Sequence, residues 1–374
     1  MSSGDQLDVL VLGGGIVGLA VAWRARQRGM SVAVLERNTV GGATSRVAAG
    51  MLAPVAEVEF GDAGARILDL GLRSAELWPA FAAELEAVAG VDVGLLRTGS
   101  LLLARDEDDA RELERQLAYR QSLRLPVERL LSSQAREREH ALAPTVRLAL
   151  EVPDDHSVDP RLVLGALAHA CVAAGVQVRE HSPVERVDVE GLNVASPGRV
   201  VGVTLAGGER IAAEHLVIAA GPWSGTIDGL PEHARVPVRP VKGQILRLRD
   251  PSGAGLLQRV LRFRGGYLVP RADGRYVLGA TVEERGFAEL PTAGGVYELL
   301  RFAQELVPGV AELEIEELAV GFRPGTPDNS PIVGRGALDG LVWATGHYRN
   351  GILLAPLTAE LVLEALTGAT AGVS

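Results

Sequence analysis

A glycine-rich turn near the N-terminus constrains the fold of this chain more than any other feature. Residues 8–12 (DVLVL) form a short, nearly continuous apolar run of the kind found in buried parallel strands. Gly13, Gly15 and Gly18 follow at once in the spacing G-x-G-x-x-G, and residues 19–28 (LAVAWRARQR) are rich in strong helix formers. This order of strand, turn and helix predicts the opening of a Rossmann-like α/β domain.

Each part of this turn has a use in binding a dinucleotide. Gly13 permits the tight turn, Gly15 lets the backbone approach a pyrophosphate, and Gly18 lets the helix pack close to the strand. The helix N-terminus offers free N–H groups to the phosphates. Glu36, at the tip of a second apolar strand at residues 31–35, would accept hydrogen bonds from ribose hydroxyls. The motif predicts a dinucleotide without separating NAD from FAD, and a purely structural glycine turn is the alternative.

A long run of small and hydroxyl residues follows at residues 41–52 (GGATSRVAAGML). Small side chains let the backbone come close to a flat ring or a phosphate, and Thr44 and Ser45 can donate hydrogen bonds to phosphate oxygens. The stretch is too apolar for an ordinary flexible surface loop, and an NAD dehydrogenase has no evident need for it. It therefore favours a second cofactor contact and, with it, FAD.

Composition excludes several classes of partner. The net charge of -10 provides no basic field that would recruit nucleic acid or a membrane surface. No apolar run approaches the roughly 20 residues that span a bilayer, and residues 1–7 carry no signal-peptide pattern. The single cysteine, Cys171, rules out an internal disulfide and any multi-cysteine metal site. We expect a cytoplasmic protein that acts on a small molecule and binds no metal.

The pattern of the chain changes after its opening. Residues 241–248, 266–270 and 276–280 alternate as strands of an antiparallel sheet, unlike the strand–helix–strand beginning. A length of 374 residues is sufficient for two domains. We predict an α/β (α+β two-domain) fold in which an antiparallel-sheet substrate domain is inserted into a Rossmann-like FAD-binding domain. The predicted boundaries are 1–85, 145–232 and 325–374 for the FAD-binding domain, and 86–144 and 233–324 for the substrate domain.

Two C-terminal segments carry a family resemblance. Residues 321–334 (GFRPGTPDNSPIVG) precede a strand, and residues 344–356 (ATGHYRNGILLAP) lead from that strand into a helix. This arrangement resembles the D-amino acid oxidase superfamily and, within it, the glycine oxidases of the thiamine-biosynthesis type. The similarity runs from residue 8 to about residue 366, nearly the whole chain.

The resemblance implies FAD as the cofactor. No cysteine follows Cys171, so the covalent flavin link of several N-methyl amino acid oxidases is not expected. The implied cofactor contacts are Gly13, Gly15, Ile16, Val17, Gly18, Glu36, Arg37, Thr44, Ser45, Ala49, Gly50, Met51, Val184, Gly221, His347, Tyr348, Arg349, Asn350, Gly351, Ile352 and Leu353.

The resemblance also implies a substrate site formed by Arg323, Arg349 and Tyr267. Arginine's planar fork binds a carboxylate in a bidentate manner, and a tyrosine hydroxyl can donate to the same group. Arginine is abundant in this chain, but Arg323 and Arg349 stand in otherwise uncharged, glycine-rich stretches. Without the resemblance, ordinary strand packing would explain Tyr267. Gly265 and Gly266 lack the polar side chains that some glycine oxidases place there, which leaves the selectivity of the site open.

The implied activity is oxidation of glycine, or of small amines such as sarcosine or D-alanine, by oxygen. The products would be the imine or glyoxylate, ammonia and hydrogen peroxide, with iminoacetate supplied for thiazole formation in thiamine biosynthesis. Hydride passes to the flavin, so no catalytic side chain is assigned, and a homotetramer is implied. The alternatives are a sarcosine or N-methyl amino acid oxidase, a D-amino acid dehydrogenase, a non-catalytic flavoprotein partner and an NAD dehydrogenase.

Overall fold

The computed structural model describes residues 6–193, 197–253 and 255–368, so part of the N-terminal segment considered above lies outside it. The strands are β1 (Leu7–Leu12), β2 (Val32–Leu35), β3 (Met51–Leu52), β4 (Ser100–Ala104), β5 (Glu128–Leu131), β6 (Leu148–Val152), β7 (His156–Ser157), β8 (Gln177–Arg179), β9 (Val184–Glu190), β10 (Arg199–Leu205), β11 (Arg210–Ile218), β12 (Arg239–Arg249), β13 (Val260–Phe263), β14 (Gly266–Pro270), β15 (Arg275–Gly279), β16 (Glu314–Gly325), β17 (Ile332–Arg335) and β18 (Leu341–Thr345). The helices are α1 (Ile16–Gln27), α2 (Thr44–Val47), α3 (Asp62–Ala89), α4 (Glu107–Ser122), α5 (Ser132–Arg138), α6 (Pro160–Ala173), α7 (Ala293–Leu306) and α8 (Ala355–Thr367). Short 3-10 helices cover Gly221–Thr226, Glu232–Ala234 and Pro308–Glu312.

The first sheet has the strand order β17-β18-β11-β1-β2-β8. β1 pairs in parallel with β2 and β11, and β11 pairs in parallel with β18, so their carboxyl ends meet at one edge. Helices α1, α3, α6 and α8 pack together, and their core contains Trp23, Trp78 and Phe81. The predicted strand–turn–helix–strand opening is confirmed, and it places the glycine turn at that edge.

An antiparallel arm extends the first sheet. β9 pairs with β10, and β10 forms a hairpin with β11 across Gly207 and Gly208. β11 runs without a break from Arg210 to Ile218. One strand therefore belongs to the hairpin at its start and to the parallel sheet at its end.

The second sheet has the order β16-β12-β15-β14-β13-β4-β6-β5. Its pairings are antiparallel except for β13 with β4, which run parallel. β6 lies in this sheet, so the sheet continues past the predicted boundary at residue 144. A parallel-sheet unit and a largely antiparallel unit together confirm the predicted fold class.

Local signals account for the ends of several helices. Asp159 caps α6 by accepting from the Arg161 N–H, with Pro160 at the first position of the helix. Gly90 and Gly368 follow α3 and α8 in the left-handed conformation that glycine adopts at little cost. Within the described ranges, no helix is long and apolar enough to cross a membrane, and no cluster of metal-ligating side chains occurs.

Candidate active site

A cavity of about 570 Å³ lies where the carboxyl ends of β1, β2, β11 and β18 face β12, β14 and β16 of the second sheet. Its size suits a cofactor together with a small substrate. The predicted site residues that line it are Gly13, Gly15, Ile16, Val17, Glu36, Arg37, Thr44, Ser45, Ala49, Gly50, Met51, Val184, Gly221, Tyr267, Arg323, His347, Tyr348, Arg349, Gly351 and Ile352.

Three predicted cofactor residues stand behind this lining. A Cβ added to Gly18 would come 2.0 Å from the Gly13 carbonyl oxygen, so Gly18 permits the close approach of α1 to the turn. The Leu353 carbonyl accepts hydrogen bonds from Ser74 and Trp78 in the core. Asn350 lines a small adjoining pocket of about 30 Å³. These residues shape the turns that do face the cavity.

The glycine turn has the form that a pyrophosphate needs. Gly13 has a φ of 110°, and a Cβ there would stand 2.5 Å from the Ala219 carbonyl oxygen. Helix α1 begins directly after Gly15, with no side-chain cap among the residues described. The Ile16 N–H donates to the Ser45 hydroxyl at 3.1 Å, which links the glycine turn to the segment of small residues at 41–52. The other first-turn N–H groups have no helical partner and can donate to phosphate oxygens.

The carboxylate after β2 is held by the backbone. Glu36 Oε2 accepts from the Gly14 N–H and Oε1 from the Asn38 N–H, both at 2.9 Å. Each oxygen keeps a second lone pair, so a fixed acceptor remains for ribose hydroxyls. The Arg37 guanidinium lies 3.7 Å from the ring centroid of Trp223, a cavity residue that the sequence did not single out.

Buried arginines anchor the contact segment at residues 44–51. Arg271 Nη2 donates to the Ala49 carbonyl at 2.6 Å, and Arg247 Nη2 donates to the Arg46 carbonyl at 2.7 Å. Burial lowers the pKa of both guanidinium groups to about 10. The Thr44 hydroxyl donates to the Phe322 carbonyl at 2.8 Å, which links the segment to β16. These contacts hold the segment between the two sheets.

The turn after β18 brings a neutral imidazole to the cavity. His347 is buried, its Nε2 lies 2.9 Å from the Thr358 hydroxyl, and burial lowers its pKa to about 4. The next residue, Tyr348, has a φ of 48° and donates its N–H to the Pro324 carbonyl. These hydrogen bonds hold the turn that follows β18, and its first residue, His347, is uncharged near pH 7.

Arg323 and Tyr267 form the part of the cavity that we call the substrate end. Arg323 Nη1 donates to the Thr281 carbonyl at 3.1 Å and to the Lys242 carbonyl at 3.4 Å. A Cβ on Gly243 would lie 2.6 Å from that nitrogen, so the glycine leaves room for the guanidinium across β12. Burial lowers the pKa of Arg323 and raises the pKa of Tyr267. An anion beside Arg323 would offset the desolvation of its guanidinium, and the neutral Tyr267 hydroxyl could donate to the same anion.

Arg349 completes the substrate end, together with two residues that the sequence did not reveal. Burial acts to lower the pKa of Arg349, but Tyr348 and Glu57 act against it, and the pKa is raised overall. Glu57 lines the cavity, and its Oε1 lies 3.3 Å from Nη1 of Arg262. Arg262 is the cross-strand neighbour of Tyr267 in the β13–β14 pair. Nothing in the local pattern marks either residue, because both depend on contacts distant in sequence.

Comparison with known proteins places this geometry in context. A family model described as FAD dependent oxidoreductase matches residues 8–365. Glycine oxidase from Geobacillus kaustophilus is 36% identical over 362 residues, which cover 96% of this chain and 92% of the relative. Glycine oxidase from Bacillus subtilis is 33% identical over 361 residues, again 96% and 92% of the two chains.

A further relative is the bifunctional protein ThiO/ThiG from Trichormus variabilis, at 36% identity over 359 residues. That alignment covers 96% of this chain and 52% of the relative, so the chain spans about half of the bifunctional protein. Among solved structures, glycine oxidase from Geobacillus kaustophilus superposes with a TM-score of 0.89 at 34% identity, covering 98% and 96% of the two chains. Iminodiacetate oxidase from Chelativorans sp. BNC1 gives 0.85 at 28% identity, covering 98% and 97%.

Proposed function

This chain belongs to the family of FAD-dependent oxidoreductases, and from that premise we propose that it oxidises glycine with oxygen to glyoxylate, ammonia and hydrogen peroxide. The observation that carries this proposal is the placement of Arg323, Tyr267 and Arg349 in the same cavity as the dinucleotide turn. An amino acid offers its carboxylate as the main point of attachment, and two guanidiniums and a phenol suit it. The relatives named glycine oxidase, which align with 96% of this chain, support the choice of substrate.

The residues present fit FAD. The glycine turn and the start of α1 would hold the pyrophosphate, and Glu36 would accept from the ribose. We propose that the segment at residues 44–51 and the turn from His347 to Ile352 enclose the flavin ring. No cysteine follows Cys171 in the chain, so we propose that the cofactor is bound non-covalently. When bound, the FAD accepts two electrons as a hydride and passes them to oxygen.

The protein's own contribution is binding, orientation and exclusion of water. Arg323 would hold the substrate carboxylate so that the Cα–H bond keeps one direction, which lowers the entropy cost of reaction. Before hydride transfer the bound ammonium must lose a proton so that the amine lone pair is free, and desolvation in the cavity favours this uncharged form. With the pKa of His347 lowered to about 4, its imidazole is neutral near pH 7 and adds no charge beside the ring. No side chain is assigned as an acid or base for this step.

The place of the reaction in metabolism is a finer proposal. We propose that the imine of glycine serves thiazole formation in thiamine biosynthesis, and the relatives named ThiO/ThiG support this. We also propose a homotetramer, on the family resemblance alone, and a cytoplasmic location, as the composition leads us to expect. We likewise propose the predicted domain boundaries, with residues 148–152 moved to the substrate domain because β6 pairs with β4 and β5.

A substrate panel tests the proposed function. The purified yellow protein would be assayed for peroxide with glycine, sarcosine and D-alanine, and denatured to release the cofactor. Peroxide from glycine together with free FAD in the supernatant is the expected result. Activity on sarcosine or D-alanine without glycine would instead support the sibling oxidases. No peroxide with any of the three would favour a dehydrogenase or a non-catalytic flavoprotein.

A further inference from the structure

The charges around the substrate end include one negative side chain. Arg262, Arg323 and Arg349 contribute guanidinium groups to the cavity wall, and Glu57 contributes a carboxylate. The other acidic residues in the described lining, Glu36 among them, stand near the dinucleotide turn or beside β9 and the loop after β11. A carboxylate beside a site that binds carboxylates needs a physical reason, because it repels the group that Arg323 attracts.

The pair formed by Glu57 and Arg262 is incomplete. Oε1 of Glu57 lies 3.3 Å from Nη1 of Arg262, and this nitrogen is buried without a hydrogen-bond partner within the described residues. In the same part of the chain, Oε2 of Glu57 makes no hydrogen bond or ion pair. The side chains of Arg262 and Glu57 are 20% and 15% exposed. Such a poorly solvated carboxylate retains the capacity to accept from a cation.

Two buried polar side chains hold the backbone that leads to Glu57. Asp155 accepts from the N–H groups of Val55 at 3.3 Å and Ala56 at 3.0 Å. Arg120 donates Nε to the Val55 carbonyl at 3.0 Å and Nη2 to the Ala56 carbonyl at 2.9 Å. Asp155 and Arg120 are each 1% exposed. These four hydrogen bonds fix the direction in which Glu57 leaves the backbone, because a buried polar group that loses its partner is costly.

A zwitterionic substrate explains both signs of charge. Glycine brings a carboxylate, which suits Arg323, Tyr267 and Arg349, and an ammonium group with three donors and no acceptor. We propose that Glu57, oriented by Arg262, receives the substrate ammonium and thereby selects amino acids over carboxylates that lack an amine. This assignment rests on the proposed function of the cavity as an amino acid site. Arg262 is a positioning residue for Glu57.

Opposite effects on two ligands test the assignment. In the FAD-loaded protein, Glu57→Gln should raise the KM for glycine about 10- to 100-fold, because a charge-assisted contact to the ammonium is lost. The same variant should bind glycolate about threefold or more tightly, since the repulsion between two carboxylates is removed. Glycolate binding is read from the change in visible absorbance, without turnover. Glu57→Asp keeps the charge and should recover part of the preference for glycine.

A surface residue on another element supplies the matched control. Glu137 is exposed, lies on α5 and lines neither the main cavity nor the small adjoining pocket. Glu137→Gln carries the same change in charge and should leave both the glycine KM and the glycolate dissociation constant within about twofold of wild type.

The possible results distinguish ammonium binding by Glu57 from a purely structural role of this residue. They also distinguish a failure of either from a failure of the proposed glycine oxidation. Parallel weakening of glycine and glycolate in Glu57→Gln would mean that the residue only supports the pocket, and the proposal would be overturned. Unchanged values for both ligands would overturn it as well. If wild-type protein forms no peroxide from glycine, the proposed function fails. Glycine binding is then read by absorbance, and only a weaker glycine complex in Glu57→Gln would sustain the role of Glu57.

Discussion

Replacement of Arg323 by alanine removes the group that we expect to hold the substrate carboxylate. Nη1 is already engaged by the carbonyls of Thr281 and Lys242, which leaves the Nε and Nη2 edge for a bidentate contact. Hydrogen bonds to charged groups contribute ~1.5–3 kcal/mol each, so two of them amount to ~3–6 kcal/mol. Arg349 and Tyr267 remain and water enters the space, so we expect the lower part of that range, ~3–4 kcal/mol.

The expected loss is a fall in kcat/KM for glycine of about 100- to 1,000-fold, since ~1.4 kcal/mol corresponds to a factor of ten. Most of it should appear in KM, because the carboxylate is held alike before and during reaction. The assay is steady-state peroxide production across a range of glycine concentrations. FAD content should stay at the wild-type level, because the described contacts of Arg323 are to β12 and the loop after β15.

Arg129→Ala is the matched control, because Arg129 is 45% exposed and pairs with Glu114 on the surface. It should keep wild-type kinetics. If Arg323→Ala keeps the wild-type KM for glycine, the carboxylate-binding role of Arg323 is refuted. If it loses FAD or fails to fold, Arg323→Gln keeps a donor near the Thr281 carbonyl and allows the same measurement.

Three further predictions concern the cofactor site and pH. Gly18→Ala places a Cβ 2.0 Å from the Gly13 carbonyl oxygen, so the purified variant should hold less FAD and melt at a lower temperature; full occupancy at an unchanged Tm would contradict this. In Glu36→Gln the amide N–H₂ faces the N–H of Gly14 or Asn38, so one backbone donor loses its acceptor and the ribose loses a charged acceptor. The Kd of FAD measured by fluorescence should therefore rise about tenfold. An unchanged Kd would be evidence against the ribose contact. Burial lowers the pKa of His347 from 6.5 to about 4. Between pH 4 and pH 6.5 the unfolded state therefore binds more protons than the folded state. The free energy of unfolding should fall as the pH is lowered from 6.5 toward 4. Denaturant titrations of His347→Gln should show a dependence of the free energy of unfolding on pH that is weaker than in wild type by up to ~1.4 kcal/mol per pH unit. An equal dependence in variant and wild type would refute the lowered pKa of His347.

The parts of the fold that local sequence determines were predictable. Gly13, Gly15 and Gly18 sit between an apolar strand and a helix, and neither needs a distant contact to be recognised. The cap formed by Asp159 and Pro160 is local in the same sense. The parallel pairing of β13 with β4 joins residues about 160 positions apart, and no periodicity within either strand indicates its partner.

The same distinction holds within the site. Arg323 and Arg349 were identifiable because charged residues are unusual in glycine-rich stretches and because the segments around them resemble a known family. Glu57 lies in an ordinary sequence, and Arg262 is one arginine among many. Their importance appears when β13 places Arg262 beside Tyr267 and the buried Asp155 directs the segment before Glu57. The buried arginines beneath residues 44–51 are hidden from the sequence for the same reason.

Anaerobic mixing of the yellow protein with glycine tests the central claim most directly. If glycine is bound at Arg323 beside the flavin, the visible absorbance should fall without oxygen and return when oxygen is admitted. Glyoxylate formed before oxygen is admitted should equal the FAD present, and hydrogen peroxide should form once oxygen is admitted. An absorbance that does not change at saturating glycine, in protein shown to contain FAD, would contradict the claim that this cavity oxidises glycine.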